Sequence, residues 1–200
     1  MNAQQELMHE TFHALAQPIS ALRAKVELGL RAGARQLPME SLAECLPLVL
    51  RLSDDLGMLR EIAALEQKPA TAHYDATALL LECVEEMAMV ARDAGTTLAV
   101  KAEPGWIACH EATLRSALFL LLDSTLAAEP GNRIDIGLHR DGDGFAISVS
   151  PAKLGGLRGK LFCKLMEHAG AETVELGAER ARATFPAPIY RNISASSSVE

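Results

Sequence analysis

Phe12-His13-Ala14-Leu15-Ala16-Gln17-Pro18-Ile19-Ser20-Ala21-Leu22 sets a histidine five residues ahead of a proline, inside a run whose apolar residues are spaced as in a helix. Followed outward, the apolar side chains fall at Met8, Phe12, Leu15, Ile19, Leu22 and Val26. These steps of four and three make a coiled-coil seam. A proline in a helix interior costs about 3 kcal/mol and leaves the carbonyl four residues back without its N–H partner. Here that carbonyl is Ala14's, so a bend is expected within one turn of His13. The pattern breaks after Gly29 and Gly33, through Ala34-Arg35-Gln36-Leu37-Pro38, and a second seam runs Leu42, Cys45, Val49, Leu52, Leu56, Leu59, Ala63. Two such helices and a short loop make an antiparallel hairpin. A lone hairpin has too little to bury its stripe against, so two copies are expected to complete a four-helix bundle as a homodimer.

The composition changes at Gln67-Lys68-Pro69-Ala70-Thr71, which reads as a linker. Beyond it, Asp75 to Ala94 is a helix with Asp75 as N-cap and Gly95 as its stop. Thr96 to Val100 and Trp106 to Cys109 are strand-like, on either side of a Glu103-Pro104-Gly105 turn. Glu111 to Ala128 is apolar on almost all sides and is expected to be buried. Arg133 to Leu138 and Phe145 to Val149 pair as strands through the Asp141-Gly142-Asp143-Gly144 turn. Leu157 to Ala169 is a further helix, and Thr173 to Phe185 a final hairpin. The order predicts an α+β layer of sheet against helices. Residues 1–67 thus form the helical hairpin, 72–190 a mixed domain, and 191–200 a Ser-rich, disordered tail.

With 49% apolar residues the 200-residue chain has material for real cores, but aromatics at 4% leave the packing to Leu, Ala, Val and Met. A formal net charge of −7 and the lack of any basic run argue against a nucleic-acid partner and against anionic lipid. Cys45, Cys83, Cys109 and Cys163 show no CxxC pair and no metal-ligand rhythm, so they read as small hydrophobes in a reducing compartment. The start, Met1-Asn2-Ala3-Gln4-Gln5-Glu6, lacks the features of a signal peptide. The longest apolar run, Leu118 to Leu122, is far short of the roughly 20 residues that span a bilayer. The expectation is a soluble cytoplasmic protein whose partners are other proteins.

His73, His110, His139 and His168 are scattered without metal-ligand spacing and read as surface or cap residues. No GxSxG, HExxH or paired-carboxylate signature occurs. Met87 and Met89 read as core. The Asp141–Gly144 segment lacks the remaining ligands of a calcium loop.

Several segments together resemble the core of two-component histidine kinases, over roughly residues 5 to 190. His13 to Leu22 is similar to the phosphoacceptor box in its histidine, Gln-Pro pair and aliphatics. Leu114 to Leu126 resembles the N-box helix, Phe145 to Ser150 the strand into the first glycine box, Leu161 to Gly170 the helix after the second, and Arg182 to Pro186 the terminal strand. The resemblance implies a dimerisation and phosphotransfer hairpin followed by an α/β sandwich of the histidine-kinase ATPase type. It also implies ligands this chain lacks. The N-box carries two asparagines, one holding magnesium, where this chain has Leu120 and Ser124. The first glycine box carries an aspartate for the adenine amino group, where Pro151-Ala152-Lys153-Leu154-Gly155 stands. Magnesium takes oxygen ligands, which Leu120 cannot offer, and Pro151 has no acceptor side chain. A histidine bundle beside such a domain resembles the stand-alone histidine phosphotransferases of the ChpT type. The resemblance therefore implies a relay between receiver-domain aspartates through His13, without ATP, with Mg2+ supplied by the partner receiver. The competing expectation is a non-catalytic pseudokinase module that binds and regulates a response regulator or kinase.

On spacing alone His13 is a surface histidine one position off the seam; the offset to Pro18 and the resemblance single it out as phosphoacceptor. Its neutral imidazole suits in-line attack on phosphorus. The family places an acid directly after the histidine, where Ala14 stands, and Glu10, one turn earlier, is the candidate replacement. Gln17, one turn later, is a candidate to face the same partner, where its amide could orient a hydrolytic water, although an ordinary polar surface residue is the commoner reading of such a glutamine. Arg51, Asp54 and Asp55 on the second helix are candidates to flank the docking face. His9 has no proline five residues on and ranks below His13.

Overall fold

The structure, a computed structural model, describes residues 3–31, 39–65 and 72–186. The expected hairpin loop, the linker and the tail lie outside the described residues. Helix α1 (Ala3–Arg31) and helix α2 (Met39–Ala64) form the hairpin, and both helices run on through an internal proline, Pro18 and Pro47. Pro18 is buried and Pro47 exposed.

The α1 seam is divided between two surfaces. Leu7, Thr11 and Leu15 are buried within the chain, whereas Phe12, Ile19 and Val26 are exposed. At about 100° per residue, residues 7, 11, 15 and 18 share one arc, and 12, 19 and 26 lie beside it on the next. Thr11 is tolerated in the buried arc because its hydroxyl donates to the Leu7 carbonyl at 2.8 Å. On α2, the residues buried within the chain include Met58 and Ile62, whereas Val49 and Leu56 of the seam are exposed. The cause is the second domain: Leu7, Met58 and Ile62 join its core cluster.

That domain opens with strand β1 (Ala72–Asp75), which the sequence did not announce; it pairs antiparallel with β3 (Trp106–Cys109). Helix α3 (Ala76–Asp93) starts at Asp75, whose carboxylate accepts from the Thr77 and Ala78 amides at 2.9 and 3.2 Å. Such a cap contributes about 1 kcal/mol. Strands β2 (Thr97–Ala102), β4 (Arg133–Asp141), β5 (Gly144–Ser150), β6 (Thr173–Leu176) and β7 (Ala181–Phe185) form one sheet in the order β2-β4-β5-β7-β6. Only β2–β4 is parallel; the other pairs are antiparallel. Gly142 at φ +56° makes the turn between β4 and β5. Gly105 is fixed by packing, since a Cβ there would meet the Phe145 ring at 2.3 Å.

Period-two alternation gives the sheet one apolar face. Ile134, Ile136 and Leu138 of β4 are buried while Arg133, Asp135 and Arg140 are exposed. Helix α4 (Glu111–Ala128) covers that face with Leu114, Leu118, Leu121 and Leu122, and α5 (Gly156–Ala169) with Leu161, Phe162 and Leu165. Each such side chain contributes about 1.5–3 kcal/mol on burial. Met87 is buried as expected, but Met89 is 71% exposed, because α3 turns that side to solvent. Arg115 ties α3 to α4 by binding Glu82, Glu86 and Glu111 together. His110 caps α4, with its ring 2.6 Å from the Thr113 hydroxyl. Among the described residues no helix is long and apolar enough to cross a membrane.

Burial pushes the Cys83 thiol up to about 11 and the Cys109 thiol up to about 12. In the unfolded chain a thiol ionises near 8.5, so above about pH 8.5 the unfolded state loses protons that the folded state keeps. Stability is thus full below that pH and is expected to fall as pH rises, by up to about 1.4 kcal/mol per pH unit for each thiol. Urea midpoints at pH 7, 9 and 10 measure this slope, which Cys83→Ala and Cys109→Ala should each flatten. An unchanged slope in both variants would refute the assignment.

Candidate functional site

Helix α1 presents its outer side at His9, His13 and Gln17, all exposed. These residues lie about 200° around the helix from Leu7, Thr11 and Leu15, so packing of the buried arc is what turns them outward. The His9 and His13 rings meet edge to face, with centroids 4.5 Å apart and planes at 89°. Ala14, directly after His13, is half-buried and offers no polar group.

Glu10 does not accompany His13. Its carboxylate takes the Lys160 ammonium of α5 at 2.6 and 2.9 Å, a bond that raises the Lys160 pKa above its ordinary value. Glu10 therefore ties the hairpin to the second domain, beside a groove of about 520 Å³ lined by Glu6, Leu7, Gly155, Gly159 and Lys160. Lys160 carried no sequence signal; the 150 residues separating it from Glu10 put the pair beyond any local pattern. Arg51, Asp54 and Asp55 fall on α2, but their side chains lie outside those described.

Two of the departures from the histidine-kinase pattern, Leu120 and Ser124, lie one turn apart on α4, and the third, Pro151, opens the connection from β5 to α5. Leu120 is half-buried and lines a cleft of about 340 Å³ with Phe119, Asp123 and Arg158, beneath Gly57 and Met58 of α2. The Ser124 hydroxyl accepts from the Arg158 guanidinium at 2.9 Å, and Asp123 lies 3.5 Å from the same group. Pro151 is half-buried, and the next residue, Ala152, is wholly buried. The Lys153 amide donates to the Thr125 hydroxyl at 3.1 Å, while its ammonium reaches Glu179 at 3.3 Å and Glu129 at 3.6 Å. These bonds, that to Glu179 first, raise the Lys153 pKa. Only residues 151–155 connect β5 to α5; Ala152 is buried in the core and the Lys153 amide is bonded to α4.

These residues do not fit a magnesium–nucleotide complex. Leu120 provides no oxygen, and the one hydroxyl at the second position already faces a cation of the protein itself. Arg158 was missed by sequence reasoning because its partners lie on another helix, 34 residues away. Among the described residues no group of three or more His, Cys, Asp or Glu is arranged to hold a metal ion.

The sequence matches no protein-family model, and comparison with curated proteins finds no significant similarity. Solved structures do resemble the chain. The histidine kinase AdeS of Acinetobacter baumannii superposes with a TM-score of 0.69 at 14% identity, over 88% of this chain and 98% of AdeS. Histidine kinase ThkA, in its complex with the response regulator TrrA, gives 0.70 at 14% identity, over 92% of this chain and 61% of ThkA. Full-length ShkA in complex with AMPPNP gives 0.56 at 16% identity, over 92% of this chain and 46% of ShkA. The chain therefore has a histidine-kinase-like fold, with N-terminal helices and a C-terminal ATPase-type α/β sheet.

Proposed function

We propose that this chain is a histidine phosphotransferase of a two-component relay, taking phosphate from one receiver-domain aspartate and giving it to another through His13. The observation that carries this is a pairing. An exposed imidazole stands on the outer side of α1, and the attached ATPase-type domain has Leu120, and Ser124 bound to Arg158, where nucleotide chemistry needs metal ligands. The similar chain ThkA forms a complex with a response regulator, which supports receivers as partners. Similar ShkA binds AMPPNP; this chain's departures argue that it does not bind the nucleotide.

The chemistry asks little of the protein. A neutral nitrogen of His13 attacks phosphorus in line, an N–P bond forms, and the P–O bond to the donor aspartate breaks with its electron pair on the carboxylate. The receiver brings its own Mg2+ and acids. Cytoplasmic location follows from this role.

The exposed arc supports a homodimer. Phe12, Ile19 and Val26 recur at intervals of seven on α1, and Leu46, Val49, Leu50 and Leu56 are exposed on α2. A second hairpin laid against these residues would complete a four-helix bundle with the packing of a coiled coil.

Three measurements test the proposal. Purified receiver domains phosphorylated on aspartate are expected to pass acid-labile label to the wild-type chain and none to His13→Ala; label persisting in the variant would displace His13. Calorimetric titration with Mg–ATP is expected to give no binding heat, and micromolar affinity would return the chain to the kinases. Sedimentation is expected to show a dimer that Ile19→Glu together with Leu50→Glu converts to a monomer, whereas a monomeric wild-type chain would overturn the bundle.

A further inference from the structure

Building on the reading of His13 as phosphoacceptor, we infer that His9 is its positioning residue, taking up the proton that the family's adjacent acid would otherwise receive. Three observations converge on it. Ala14 leaves no acceptor directly after His13. Glu10, the nearest carboxylate on the same helix, is held by Lys160 through both of its oxygens. Among the described residues the ring that meets His13 is His9, four residues earlier, at a centroid distance of 4.5 Å.

Proton balance explains why such a partner is useful. When the unprotonated nitrogen of His13 attacks an acyl phosphate, the N–P bond forms, the P–O bond breaks and the electron pair leaves on the donor carboxylate. The phosphorylated ring then carries positive charge, and the proton on its other nitrogen becomes more acidic. His9 accepts that proton through its own unprotonated nitrogen and returns it when phosphate leaves for the next aspartate. An imidazole can both accept and return a proton, which suits a step that must run both ways. Both rings are exposed, so the edge-to-face contact can convert to an N–H···N bond by rotation about the ring torsion.

The surrounding charges leave this exchange to the pair. Glu6 and Glu10 are on the same helix, and α5 contributes Lys160 and Lys164, bound to Glu10 and Glu167. On α2 the described charges at this level are Arg60 and Glu61, which pair with each other at 3.1 Å.

The test uses the whole chain and potassium phosphoramidate, a small phosphodonor that labels imidazole without a protein donor, with phosphohistidine followed by 31P NMR. His9→Ala and His9→Phe are expected to slow labelling of His13 by about tenfold, below the usual range for a positioned base because both rings face solvent. His9→Glu should recover most of the rate. The ratio of wild type to His9→Phe should fall toward one as the solution is acidified, because a protonated imidazole cannot accept a proton. A His9→Phe variant as fast as wild type would reduce His9 to a packing ring and overturn the inference, as would a ratio independent of pH. Wild-type chain that takes no label at His13 would sink the phosphoacceptor reading as well, whereas equal labelling in all four proteins sinks only the role of His9.

Discussion

The orientation of α1 is set by an apolar seal, and the exposure of His13 depends on it. Leu7 is buried with Met58 and Ile62 in the same cluster as the sheet domain's core. At about 1.5–3 kcal/mol for each such side chain, this contact outweighs the exposed ion pair between Glu10 and Lys160 alongside it. The ion pair chooses an orientation that the apolar contact already makes favourable. Once Leu7, Thr11 and Leu15 are turned inward, helical periodicity leaves three separate surfaces. One is sealed within the chain, one is apolar and exposed at Phe12, Ile19 and Val26, and one is polar and exposed at His9, His13 and Gln17. Rotating the helix by a single residue would bring the imidazoles toward the apolar arc.

The second domain keeps the architecture of an ATPase-type sheet, and polar groups along one edge of α4 are bound within the chain. Where a cation from solution would be needed, the guanidinium of Arg158 meets Ser124 and Asp123. Where a glycine-rich connection would approach phosphates, five residues cross directly from β5 to α5, and Ala152 is packed away with no exposed surface. The ion pairs of Lys153 with Glu129 and Glu179 remain open to solvent and add little to stability. The network as a whole satisfies polar groups along the edge of α4 from within the chain.

Most of the fold was legible in the sequence because its elements carry local signals. The α4 bounds, the β4–β5 turn and the Asp75 cap each follow from residues within one turn of the feature they set. The burial of individual faces was not legible. The seam at Met8, Phe12, Leu15, Ile19, Leu22 and Val26 gave the helix but not its division, because period alone does not say which apolar residue meets the same chain and which meets another. Strand β1 escaped notice since Ala72-His73-Tyr74-Asp75 is short and its pairing with β3 is set by a partner more than 30 residues away. Met89 misled for the reverse reason, being apolar on a face that nothing in the chain covers. At the site, His13 was legible through Pro18 and the resemblance, whereas Glu10's engagement by Lys160 and Ser124's by Arg158 are tertiary contacts with no sequence spacing to betray them.

Under the proposed relay these features bear on one another. If phosphate came from a nucleotide on the same chain, the sheet domain would have to bring it to the imidazole, and a hairpin sealed into that domain's core would resist the movement. If phosphate comes from a receiver instead, the domain has only to leave His13 uncovered, and a rigid junction becomes an advantage because it holds the docking surface in one shape. The loss of metal ligands at Leu120 and Ser124 and the burial of Leu7, Met58 and Ile62 then express one constraint. On that reading the two parts of the chain are free to lock together, and the proposed chemistry is concentrated on the outward face of α1.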